Sequence, residues 1–309
     1  MSTALSSATT THGLAARSEH PQFLGMLRGE IFKLVRQRFN WITTLGFAGA
    51  VSVYYLFLLG NKQIKDDLQQ FPYESFYHTM AREGAITRVF IGIVLMIATA
   101  MLIGFEYQHG TIRVLLSRGV DRVKLLLAKL LTLALFGLAL LALAVLLNAL
   151  WATLAQFLIV GNLDAYKALN GTFWANTWTY VLSILISMGA TILLAAALTV
   201  FGRSVAFGLT LSFVWFAAEN IGASVLVLVY TFTNNDFWLK ITAYLVGLNL
   251  NILPTLMVAR HVGGVPVETL GSAPRVQYDL THTLLTVLIY SVIFAVVAIM
   301  LTWRRDVKE

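Results

Sequence analysis

Residues 106–129 read EYQHGTIRVLLSRGVDRVKLLLAK, a short basic segment wedged between two long apolar stretches, about 86–105 and 125–148. Some 20 apolar residues are what an α-helix needs to cross a hydrocarbon core. The segment is therefore a turn joining two membrane spans. A short, rigid, charged connection of this kind can carry a push from a soluble motor into both attached spans, which makes transport the leading expectation.

Composition supports a bilayer protein throughout. Of 309 residues, 58% are hydrophobic and 12% charged, and mean hydropathy is +0.76; globular chains are roughly 45–50% apolar and 25% charged. The chain has no cysteine, which excludes disulfides and thiolate chemistry. Its six histidines form no compact ligand spacing, so no metal site is expected.

The apolar windows predict an all-α integral membrane protein with six transmembrane helices, at about 40–60, 86–105, 125–148, 178–201, 205–230 and 283–303. The third stretch runs on apolar to Val160. That is too long for a perpendicular span, so it must tilt or continue beyond the membrane. Residues 237–258 are also apolar but contain Asn249, Asn251 and Pro254. They are expected to form a re-entrant or surface-lying outer segment before span 6, a path tolerated only where protein or a cavity covers the backbone.

Three parts are expected: a disordered cytoplasmic tail over 1–22, an amphipathic interfacial helix over 23–39, and the six-span domain over 40–309. The segments that a cytoplasmic N-terminus places inside carry a clear excess of Lys and Arg, whereas the outer segments balance. The positive-inside rule then puts both termini in the cytoplasm. This topology accounts for the basic pI of about 9.7, and no nucleic-acid partner is needed.

Within FLGMLRGEIFKLVRQRF, residues 23–39, Leu27, Ile31 and Leu34 share an apolar side at helical spacing, while Glu30, Lys33 and Arg36 fall on the other. Such a helix is expected to lie in the inner interface. A plain juxtamembrane anchor would have the same pattern.

Inside the connecting segment, Gly110 interrupts the helix leaving the second span. Thr111 to Arg118 can form two turns with Ile112, Leu115 and Leu116 on one face. Gly119 suits a left-handed helix end, and Asp121 can cap the next helix. Glu106 is expected to pair with Arg113 or with Arg122 and Lys124.

This order of elements, with E-x-x-x-G-T-x-R-x-L-L-S-R-x-x-x-R and a later lysine, resembles the permease subunit of ABC transporters of the ABC-2 export type. Glu106, Gly110, Thr111, Arg113, Leu115, Leu116, Ser117, Arg118, Arg122 and Lys129 match that pattern. Gly119 departs from it, because such permeases commonly carry proline there. The resemblance implies a plasma-membrane exporter working by alternating access, a coupling helix between spans 2 and 3, and a re-entrant region before span 6. It also implies two partners: a second permease, identical or homologous, and a separate P-loop ATPase holding ATP and Mg and receiving residues 106–122. No GxxxxGK[ST] occurs in this chain, so it is expected to be no enzyme and to hold no cofactor itself.

Glu219 is the remaining signal, an ionisable residue inside the fifth span. With Trp215, Asn220 and Asn148 it is a candidate for the translocation pathway. It could equally be a hydrogen-bonded tie between helices through Asn148 or Asn220. An ion-coupled carrier or channel centred on Glu219 is the alternative reading. A membrane-embedded enzyme is disfavoured, because no acid, base and nucleophile converge.

Overall fold

The computed structural model describes residues 22–111, 119–258, 271–276 and 279–304. The expected tail lies outside them except for Gln22, as does the core of the expected coupling helix, including Arg113, Leu115, Leu116 and Arg118. The described residues are helical without a strand, and six helices are long and apolar enough to cross a membrane. The chain is a multi-pass, all-α membrane protein.

Helix α1, Phe23–Arg36, precedes the spans. The spans are α2 (Arg38–Gly60), α4 (Pro72–Gln108), α5 (Arg122–Ala155), α6 (Gly171–Gly202), α7 (Val205–Thr233) and α10 (Leu280–Arg304). A short helix α3, Lys62–Gln70, links α2 to α4, and α8 (Phe237–Ile241) and α9 (Val246–Met257) lie before α10.

Polar residues at the breaks explain where the helices begin. Asn61, Asp121, Asn170 and Ser204 each turn a side-chain oxygen to an N–H of the first turn of the helix that follows, satisfying donors that have no partner within the helix. The Asp121 cap was expected. So was left-handed Gly119, at φ 77°; Gly110, expected to interrupt the helix, is left-handed as well, at φ 66°.

Several boundaries differ from the sequence reading, α6 for example beginning at Gly171 where 178 was expected, and two of them bear on the site. The interfacial helix stops at Arg36, because Gln37 is extended at ψ 112° and α2 begins at Arg38. Helix α4 begins at Pro72, well before residue 86, so Glu83 and Arg88 are helical and buried. Charged residues depress hydropathy locally, whereas a helix continues as long as its backbone and packing allow. Helix α5 is also long, about 50 Å at 1.5 Å per residue, and ends in a π-helical turn, Gln156–Val160, with Gly161 left-handed after it.

The bundle is built around α4 and α6. Their most apolar windows are 67% and 61% buried, against 33% or less for the other spans. On one side of the pair, Phe47 and Val51 of α2, Leu133 and Leu140 of α5, and Ile184 and Met188 of α6 pack on Ile91 and Leu95 of α4. On the other, Ala196, Ala197 and Val200 of α6 meet Phe294 and Ala298 of α10. Small residues here let backbones approach, the main route to affinity between helices in lipid.

Residues 237–258 do not form one straight helix: the α8 side and α9 meet at an angle of 77°. Each polar residue that marked this stretch has a partner. Asn249 Nδ2 donates across the corner to the carbonyls of Ala243 at 2.7 Å and Leu245 at 2.8 Å. Pro254 has no N–H for the Leu250 carbonyl one turn back, and Arg88 of α4 supplies the missing donor from Nη1 at 2.7 Å. Asn251 Nδ2 donates to the Ser272 carbonyl at 2.9 Å. An irregular backbone inside lipid requires such substitutes.

Candidate functional site: a charge cluster joining three helices

The motif residues that flank the connecting segment meet α1. Lys129, 4% exposed, lies on the second turn of α5. Its ammonium donates to Glu106 Oε1 at 2.7 Å, to Glu30 Oε2 at 2.8 Å and to the Leu102 carbonyl at 3.1 Å. All three of its donors are thereby used. Lys33 completes the square, donating to Glu30 Oε1 at 2.6 Å and Glu106 Oε1 at 2.7 Å. Two carboxylates and two ammoniums make the cluster neutral, the condition under which buried charge is tolerated.

This arrangement corrects two expectations. Glu106 is held by Lys33 and Lys129, side chains 73 and 23 residues away in sequence, neither of them a partner that local spacing had suggested; the expected partner Arg113 lies outside the described residues. The face of α1 is also redrawn. Glu30 is 2% and Leu34 5% exposed, so the stripe against the bundle runs through Leu27, Glu30 and Leu34. Phe23, Leu24, Ile31 and Val35 face outward, and Arg36 covers the Phe32 ring at 4.7 Å. Hydropathy alone assigns Glu30 to water; two lysines from other elements or turns make its burial possible.

Burial works against the Lys33 charge, but hydrogen bonds and attraction from Glu106 and Glu30 outweigh it and raise its pKa above the usual 10.5. A raised folded value means that its stabilising contribution is complete below the ordinary lysine pKa and is lost only as pH climbs through the folded one. Across the physiological range Lys33 therefore stays charged. Glu106 Oε2 has no donor among the described residues, so one buried acceptor remains beside the connecting segment. Thr111 is exposed and Arg122 half-buried on its two sides.

The pathway candidates fall into two separate places. Glu219 Oε1 accepts from Trp215 Nε1 at 2.8 Å, and Oε2 accepts from the Gly247 N–H at the start of α9. Glu219 therefore caps a helix from another element, and its partners are Trp215 and Gly247 and neither Asn148 nor Asn220. Asn220 Oδ1 instead accepts from the Ser272 N–H at 2.7 Å. Asn148 is elsewhere, accepting from the Tyr55 hydroxyl at 3.3 Å and lining a cavity of about 290 Å³ between α4, α5 and α6. Glu83 lines the same cavity, a buried carboxylate that hydropathy windows pass over as part of a loop.

The chain is thus a helical bundle whose second and third spans flank a short basic segment, with that junction tied to an N-terminal helix. The family model for the ABC-2 family transporter protein matches residues 26–219, which include most of α1, the charge cluster and Glu219. The chain belongs to that family and is an ABC-2 type permease. No curated relative matches it.

Proposed function

We propose that this permease is the transmembrane half of an ATP-driven exporter in the plasma membrane, with both termini cytoplasmic. A separate P-loop ATPase binds ATP and Mg and docks on residues 106–122, and a second permease copy completes the pathway. The observation that carries this reading is the cluster of Glu30, Lys33, Glu106 and Lys129. It clamps the end of α4 and the start of α5 to α1, so a displacement of the segment between them moves three helices together. The free acceptor of Glu106 offers Arg113 a place when the motor docks. Two such units then rock between inward-facing and outward-facing states, driven by the different affinity of the ATPase for each state.

The bonds of Glu219 give little support to an ion-coupled carrier centred on it, since both carboxylate oxygens are occupied by Trp215 and Gly247.

The test is affinity purification of the tagged chain from its native membrane in mild detergent, with the co-purifying proteins identified and ATPase activity assayed. A stoichiometric P-loop ATPase is expected, released by Arg113→Glu with Arg118→Glu while thermal unfolding of the permease is unchanged. A chain that purifies alone, without nucleotide hydrolysis, overturns the proposal.

A further inference from the structure

We infer that the cavity between α4, α5 and α6 is a binding site for a small organic cation that carries N–H donors on an apolar body, with Glu83 as its counter-ion. The inference does not depend on the coupling reading, because binding needs no ATPase.

The polar groups around this cavity lack partners in a coordinated way. Glu83 is 1% exposed, and neither of its carboxyl oxygens has a hydrogen-bond partner among the described residues. The Thr87 Oγ1, one turn along α4, and the Tyr180 hydroxyl of α6 are also buried and unpaired. All three residues line the same cavity. Gly84 brings them together: a Cβ there would lie 2.7 Å from the Tyr180 ring, so only glycine lets that ring rest on the α4 backbone. A buried polar atom without a partner costs roughly 1–3 kcal/mol, more when charged, and four of them, on three residues at one cavity, mark a place shaped for a ligand.

The chemistry of the walls selects the ligand. A buried carboxyl with no cation bonded to it among the described residues ionises most favourably when a positive charge sits beside it; Arg82, the adjacent residue along α4, lies over the Tyr54 ring at 5.9 Å, and Arg88 spends Nη1 on the Leu250 carbonyl and Nη2 on Asn251 Oδ1. The rest of the lining is largely aromatic and aliphatic, with Phe76 and Phe173 packed together at 6.4 Å and Trp174 edge-on to Phe173. Ring faces attract cations and cover apolar bodies. The volume, about 290 Å³, lies at the lower end of small-molecule sites. An aromatic or alkyl ammonium fits this description; a peptide does not.

The purified chain in nanodiscs is titrated with tritiated 2-phenylethylamine, with 2-phenylethanol as the neutral counterpart. The expected result is saturable binding of one amine per chain, weakened about tenfold or more by Glu83→Gln and by a smaller factor in Tyr180→Phe. The alcohol should bind weakly and equally to all three proteins. Thermal unfolding of both variants at or above the wild-type temperature verifies their folding. Absence of saturable amine binding to the wild type, which would mean that the orphan groups hold only water, overturns the inference. So does equal binding by the wild type and Glu83→Gln, which would leave only partition into an apolar space.

Discussion

Glu106 and Lys129 stand 2.7 Å apart on opposite sides of the segment that joins α4 to α5, and both also reach α1. A pair that bridges its own connecting segment fixes the spacing of the two helix ends. Because Glu30 and Lys33 join it, the N-terminal helix is part of the same rigid junction.

Removing the buried lysine should therefore be costly. Lys129→Met leaves two carboxylates facing one ammonium, and loss of one partner of a buried ion pair costs about 3–5 kcal/mol. Lys33, whose side chain is 42% exposed, should cost far less on replacement by alanine, about 0.2–1 kcal/mol as for exposed pairs. Thermal unfolding in nanodiscs ranks the two, and equal losses would show that the cluster is not buried in the membrane-bound protein.

Arg88 and Pro254 should be coupled. Arg88→Met leaves the Leu250 carbonyl without a donor, a loss of about 1–3 kcal/mol. In a Pro254→Ala background the helix supplies its own N–H, so the same arginine substitution should cost markedly less. A double-mutant cycle in unfolding temperature reads this directly; strict additivity would contradict the proposed substitution of one donor for another.

Glu219 should behave as a helix cap. Glu219→Gln retains an oxygen for the Gly247 N–H, whereas Glu219→Leu removes it and should lose about 0.5–2 kcal/mol, with faster hydrogen exchange at residues 246–248. Gly247→Ala should resemble Glu219→Leu, because a Cβ there would come within 2.6 Å of Oε2. If Glu219→Gln instead abolishes transport while exchange at α9 is unchanged, the residue works in the pathway and its capping role is secondary.

In the assembled transporter, Lys129→Met should uncouple before it unfolds. At a temperature where the variant remains folded, ATPase activity is expected to persist while substrate-linked transport falls, measured in proteoliposomes containing both subunits. Transport and hydrolysis falling together would argue for loss of docking and against loss of force transmission.

The spans, the irregularity of the stretch before α10, the cap at Asp121, the break at Gly110 and the left-handed Gly119 were legible in the sequence. Apolar length, Pro, Gly and side-chain caps act on residues a few positions apart, so a linear reading captures them. The charge motif also contains Glu106 and Lys129, which the fold brings together.

Partner choice was decided only in the tertiary structure. Glu30 looks solvent-facing on a helical projection, yet it meets Lys129, 99 residues away; Glu83 falls outside the apolar window and looks like a loop charge, yet α4 carries it into the bundle. Burial of a charge depends on what another helix places opposite it, and that energy has no expression in local hydropathy.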